Sequence, residues 1–321
     1  MKLANISLAK KVSASKVNFL SHMKYYLAVL VAVLVSAIFI VSFLGIKLDF
    51  DYSGGTVLTV VVDGVKDDTK YNEKCDKIDE ILKKNNIEVS SYQYEQTGFG
   101  DAVVVKLLNK DTAKNEAVVA ALNEQFDYNT ENLVQKNYVK AVTVDATAIY
   151  GTKMAAVALS VAIVVLAIAA IFRYDLASAI NYLISILLDL VILLAMVIIC
   201  RIPINFSITA AFVFAFVISS LMKLLFFKQA KKNVKDENYK DKTRVEIANI
   251  SLREIFSPLV IISVISVIAL VLLAGLGTVQ IRAFAIPALI AVVFSALTTF
   301  YFTPFMWEKI VIKRRVKSKK N

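Results

Sequence analysis

Histidine occurs once, at His22, and cysteine only twice, at Cys75 and Cys200. A single histidine excludes Ser/His/Asp catalysis and a histidine-built metal cluster in their usual forms. Two cysteines are too few for a disulfide-rich scaffold or a multi-cysteine metal site. The long apolar runs contain one mid-run acid, so paired-aspartate intramembrane catalysis lacks its parts too. No enzyme activity and no cofactor is implied. His22 is expected at the membrane surface, and Cys75 and Cys200 as separate thiols.

What the sequence has in excess is apolar side chain. Of its 321 residues, 58 % are hydrophobic, and the mean hydropathy is +0.64. Both exceed the values of ordinary soluble domains. A helix needs roughly 20 apolar residues to cross about 30 Å of hydrocarbon, and six stretches meet that requirement: 25–46, 153–172, 176–199, 206–227, 256–276 and 281–306. The first is about twice as long as a signal-peptide core and has no clear small-residue cleavage site, which marks a retained anchor.

The net charge of +11 follows topology and is not gathered on a nucleic-acid-binding face. Lys2, Lys10, Lys11, Lys16 and Lys24 precede the first span without an acid, and Lys309, Lys313, Arg314, Arg315, Lys317, Lys319 and Lys320 follow the last. Residues 1–24 and the basic tail 307–321 are therefore expected on the cytoplasmic side, the tail against anionic membrane lipid. Arg173 and the loop holding Lys228, Lys231, Lys232, Lys235, Lys240, Lys242 and Arg244 agree. Short outer turns are expected at 201–205 and 275–279.

Residues 47–152 form an acidic insert with no spanning run, lying outside the membrane between the first and second helices, and residues 153–306 hold the other five spans. Within the insert the periodicity predicts a strand over Thr56–Val62 and a helix over Asn72–Asn86. Strands follow at Val89–Tyr94 and Ala102–Leu108, joined by the hairpin loop Thr97–Asp101. A helix over Asp111–Gln125 and a strand over Val139–Val144 complete a β-α-β-β-α-β order, that of a ferredoxin-like α+β domain.

Charge inside a span is costly, so Asp189 and Lys223 stand out. At 1.5 Å per residue, Asp189 lies roughly 15 Å below the outer end of the third span, near the midplane, and Lys223 roughly 26 Å below the outer end of the fourth. Asp189 is the candidate for binding a proton or sodium ion; packing is the plain alternative. The depth difference exceeds a lysine's reach, so Lys223 is expected to extend to the inner surface. Asn181, Ser185, Ser207, Thr209, Ser219 and Ser220 either line an internal seam or bond across packed helices. Pro287 should kink the sixth span.

The segment Asp51-Tyr52-Ser53-Gly54-Gly55-Thr56 resembles the D-F-x-G-G-T signature of the SecD/SecF family, whose glycines suit a sharp path from helix into strand. Other likenesses follow in order: Asp189 in span three, Asn249-Ile250-Ser251-Leu252 before span five and Ile281-Arg282-Ala283-Phe284-Ala285 opening span six. One insert of about 105 residues is similar to the SecF branch, whose partner SecD carries a larger one. The resemblance implies a multi-pass protein of the bacterial cell membrane. It would work with a SecD-like subunit beside a SecYEG-type translocon, helping draw unfolded polypeptides outward with an ion gradient. Two positions depart from the family. Met222 stands where span four usually has an acid, and Pro258 where span five usually has an arginine; Arg253 and Lys223 are the candidate compensating charges. The other reading is a standalone exporter of lipids or small hydrophobic molecules, of the resistance-nodulation-division type. Six spans are half the usual set there, so each reading needs a second half.

Overall fold

The protein is described by a computed structural model covering residues 19–61, 68–97, 100–126, 139–174 and 176–318. The lysines before residue 19, Lys319, Lys320, Val62 and the hairpin residues Gly98 and Phe99 lie outside the described residues. In chain order the elements are α1 (Met23–Leu44), β1 (Gly55–Val61), α2 (Asp68–Lys84), β2 (Val89–Thr97), β3 (Gly100–Leu107), α3 (Thr112–Gln125), β4 (Val139–Val144), α4 (Ala148–Arg173), α5 (Leu176–Ile199), α6 (Phe206–Lys235), α7 (Arg244–Leu276), α8 (Val279–Phe300) and α9 (Phe302–Ser318). Among the described residues, six segments are long and apolar enough to cross a membrane: Leu20–Leu44, α4, α5, α6, α7 and Val279–Ile310. The chain divides into two units, 47–153 with 203–206, and the remainder.

The smaller unit is a four-stranded antiparallel sheet ordered β2-β3-β1-β4, which with α2 and α3 makes the expected ferredoxin-like arrangement. Alternation along β1 and β3 buries Leu58, Val60, Val103 and Val105, which pack with Ile78 and Leu82 of α2 and Val118 and Leu122 of α3. α2 ends where Asn86 turns left-handed (φ 53°). There the amides of Asn86 and Ile87 reach back to the carbonyls of Lys83 (3.1 Å) and Leu82 (3.0 Å) and satisfy orphan acceptors. β2 and β3 pair as far as Thr97 with Gly100, so the hairpin connection is two residues, shorter than the expected Thr97–Asp101 loop.

One connection was not legible in the sequence. Residues 203–205 of the expected outer turn 201–205, with Phe206 of the expected fourth span, belong to this unit: Leu48 and Ile204 form a parallel bridge, with Asp49 N to Ile204 O at 3.0 Å and Ile204 N to Lys47 O at 2.9 Å. Backbone pairing of that kind leaves no periodicity to read.

In the helical unit, the buried share of the apolar window is 50 % for α5, 56 % for α6 and 44 % for the last span, against 11 % for α1, α4 and α7. α5, α6 and α8 are therefore the interior of the bundle, and the other three turn apolar faces outward. α7 starts twelve residues before the expected span because Thr243 and Glu246 form a capping box that begins the helix in its polar prelude. α7 and α8 continue through Pro258 and Pro287, and the last span is broken at Tyr301.

Candidate functional site

The only charged side chains buried in the interior helices, among the described residues, meet each other. Asp189 of α5 is 3 % exposed, and Lys223 and Ser219 of α6 are fully buried. Lys223 Nζ donates to Asp189 Oδ2 and, at 2.9 Å, to Ser219 Oγ; the Ser219 hydroxyl donates to the same Asp189 oxygen at 2.6 Å. The expected reach of Lys223 to the inner surface is thus wrong. Helical side chains lean toward their own N-terminus, and α5 and α6 run in opposite directions, so Asp189 leans toward the start of α5 and Lys223 toward the start of α6. The two close a gap that backbone rise alone left open. Ser219, one turn before Lys223, sits where that lean carries the ammonium.

The pair is net neutral. Removing two charges from water is expensive, and their attraction offsets the cost only when the remaining hydrogen-bonding capacity is well used. Here Oδ2 receives two donors, while Asp189 Oδ1 is buried and makes no hydrogen bond within the protein. The carboxylate is therefore held on one oxygen and is polar on its other side, an uncommon state for a buried group.

Asn181, Ser185 and Asp189 lie four residues apart on one face of α5. Asn181 Nδ2 donates to Thr303 O (2.7 Å), Ser185 Oγ to Asn181 Oδ1 (3.1 Å), and Thr303 Oγ1 contacts Ser185 Oγ (3.3 Å) and Thr298 O (3.2 Å). These groups supply hydrogen bonds where the last span breaks, between α8 and α9, so helical polar pairing explains them. Ser220 bonds back to Phe216 O at 2.6 Å. Thr303 carried no sequence signal; Asn181 and Ser185 carried one only through their four-residue spacing with Asp189. Beyond Asp189, α5 continues from Leu190 to Ile199 without a polar side chain. Along α5, polar groups therefore reach the pair from the N-terminal half of the helix alone.

The two positions expected to depart from the family, Met222 and Pro258, do not converge. Met222 is fully buried in the bundle core, whereas Pro258 is exposed on α7. Arg253 is half-buried on α7 and does not bond Asp189, whose partners are Ser219 and Lys223; of the two candidate compensating charges, Lys223 alone reaches the acid.

The signature residues are positioned by backbone geometry. Gly54 has φ +66°, and a Cβ there would stand 2.7 Å from the carbonyl oxygen of Val144; a Cβ on Gly55 would collide with the carbonyl of Leu107. Thr56 is fully buried, donates to Asn109 O (2.8 Å) and accepts from Asn115 Nδ2 (2.7 Å), which ties the start of β1 to α3. Asp51 accepts from the Phe206 amide at 3.3 Å and lies 3.7 Å from Lys106 Nζ. These four residues shape the entry to the domain. Cys75 and Cys200 are both free thiols.

Residues 121–313, more than half of the chain, match the family described as protein export membrane protein SecD/SecF, C-terminal. Two solved structures are similar in fold. One is SecDF in its super-membrane-facing form, at 17 % identity and a TM-score of 0.73, covering 95 % of this chain and 40 % of that one. The other is SecDF from Thermus thermophilus, described as a translocon-associated membrane protein, at 15 % identity and a TM-score of 0.58, covering 94 % of this chain and 39 % of that one. The chain thus spans about two fifths of the length of either. No curated protein matches it significantly by sequence.

Proposed function

The chain belongs to the SecD/SecF family of multi-pass protein-export membrane proteins, and from that premise we propose that it is the SecF-like subunit of a Sec translocase. It acts with a SecD-like subunit beside a SecYEG-type translocon of a bacterial cell membrane and promotes the outward passage of unfolded secreted chains. Both termini face the cytoplasm, as the distribution of lysine and arginine requires.

The observation that carries this reading is the combination of coverage and architecture. Nearly the whole chain, one helical bundle and one ferredoxin-like insert after the first span, superposes on two fifths of SecDF. A second half is the counterpart this reading calls for, and α1, α4 and α7 hold outward apolar faces available to it or to lipid.

For the ion-linked step we assign this subunit a holding role and the SecD-like partner the exchange of ions. A thioether at Met222 and an imide ring at Pro258 neither bind nor release a proton. The acid that is present, Asp189, already has an ammonium on it. Movement of a domain against the bundle would be a two-state cycle, and a ligand biases such a cycle only by binding one state better. A tethered lysine neither enters nor leaves, so the bias arises in the partner.

Gentle detergent extraction of the tagged protein, followed by mass spectrometry of what co-purifies, tests the assignment. A SecD-like chain with translocon subunits is the expected result. A self-contained assembly that moves small hydrophobic molecules, extracted under conditions that preserve other membrane complexes, would replace it with the exporter.

A further inference from the structure

The turn between α5 and α6 is held within the smaller unit by main-chain bonds, by a carboxylate and by a close ring contact. Its residues 203–206 belong with 47–153, so the chain passes between the two units four times, after residues 46, 153, 202 and 206. Ile204 is held by its main-chain bonds to Lys47 and Asp49. Phe206, the first residue of α6, is held by both its amide and its ring. The amide is one of the donors that a helix leaves unsatisfied at its start, and it donates to Asp51 Oδ2 at 3.3 Å. The ring lies against Gly151, where a Cβ would stand 2.9 Å from the Cε2 atom of Phe206. Asp51 is itself fixed: its Oδ1 lies 3.7 Å from Lys106 Nζ of β3, and that ammonium lies 5.4 Å from the Phe50 ring centre. One carboxylate thus divides its two oxygens between the sheet and the start of α6.

We propose that Asp51 is a positioning residue for α6: by fixing the first amide of that helix to the sheet, it makes the helix follow the soluble domain. An insert joined at its two ends alone would act on α1 and α4, the helices before and after it. Here the second pair of crossings lies at α5 and α6, the helices that carry Asp189 and Lys223. A displacement at the first turn of α6 is carried along the helix, because its 30 residues contain neither proline nor glycine, the usual sources of a kink. The helix dipole also favours an anion at this end, which strengthens the grip. Asp51 thereby has a role that the sharp backbone path at Gly54 and Gly55 does not explain. This inference does not depend on the SecF-like assignment, and its failure would leave that assignment standing.

The chain carries its own probe of α6. Trp307 is its one tryptophan, is buried, and meets the ring of Phe226 at 6.1 Å between centroids. Phe226 lies roughly 30 Å along α6 from Phe206, at 1.5 Å per residue. The test is Asp51→Ala in the purified full-length protein, read by residue-resolved hydrogen exchange and by Trp307 fluorescence. Loss of a hydrogen bond to a charged group should speed exchange of the Phe206 amide about ten-fold. Trp307 emission should shift to the red, with stronger acrylamide quenching, as Phe226 moves from it. Asp51→Asn keeps an acceptor oxygen without the charge and should show both effects in reduced size, the exchange about three-fold faster. If Asp51→Ala does not fold, Asp51→Asn carries the test. Lys77→Gln breaks an exposed ion pair with Glu73 on α2 of the same unit and should leave both readouts at their parent values. Unchanged exchange at Phe206 would mean that Asp51 does not hold α6. Faster exchange with unchanged Trp307 emission would confine the bond to the domain entry, and an equal shift in Lys77→Gln would reduce the effect to general loosening. Each of these three results would overturn the proposal.

Discussion

Replacing Lys223 by methionine keeps most of the side-chain volume and removes the ammonium, which isolates the charge effect. Asp189 is then a carboxylate at 3 % exposure with the Ser219 hydroxyl as its one remaining donor. Breaking a buried pair from one side costs about 3–5 kcal/mol in soluble proteins. In a bilayer the unfolded helices also find polar partners, which favours the lower end, about 3 kcal/mol. The double variant Asp189→Asn/Lys223→Met removes both charges and should lie within about 1 kcal/mol of the parent or above it, because a neutral, well-filled interior needs no compensation. The assay is reversible unfolding in mixed micelles at fixed detergent fraction, run as a double-mutant cycle. A coupling energy of at least 2 kcal/mol is the expected outcome, on the same scale of penalties. If the single change costs less than about 1 kcal/mol, or the double costs the sum of the singles, the two charges do not hold each other and the holding role fails.

Ser219→Ala removes a hydrogen bond to a charged group and should cost about 1.5 kcal/mol in the same assay, far less than Lys223→Met. At the entry to the soluble domain, Gly54→Ala meets a backbone conformation that costs on the order of 1–3 kcal/mol for a residue with a Cβ, besides the close carbonyl of Val144. Gly55→Ala should push β1 from β3; both variants should gain protease cleavage sites within the domain while the spans stay intact. Thr243→Ala removes the cap of α7 and should cost about 1 kcal/mol, seen as faster amide exchange in its first turn. Cys75 is half-buried, and burial pushes its thiol up. Its alkylation should therefore lag the exposed Cys200 at neutral pH and gain on it as pH rises, because the thiolate is the reacting form. An impermeant maleimide added to intact cells should reach Cys200, and failure to label it would reverse the proposed orientation.

The parts of this fold that were legible in the sequence are those with a period or a stop signal. Six spans could be placed because about 20 apolar residues in a row have no other favourable solvent. The β-α-β-β-α-β order followed from the switch between alternation and helical spacing, and Gly54-Gly55 marked the sharp path into β1. Helix ends were misplaced where the signal was a side chain bonding to backbone, as with the Thr243–Glu246 box that starts α7 before its apolar run.

For the candidate site, the sequence by itself determined that Asp189 and Lys223 are expensive charges in adjacent spans. It did not determine that the two charges meet. Backbone rise placed them at different depths, and only the tertiary structure decided otherwise, because opposed helix directions turn two side-chain leans toward each other. The same holds for residues 203–206, whose pairing with residues 47–49 rests on main-chain bonds that carry no side-chain pattern.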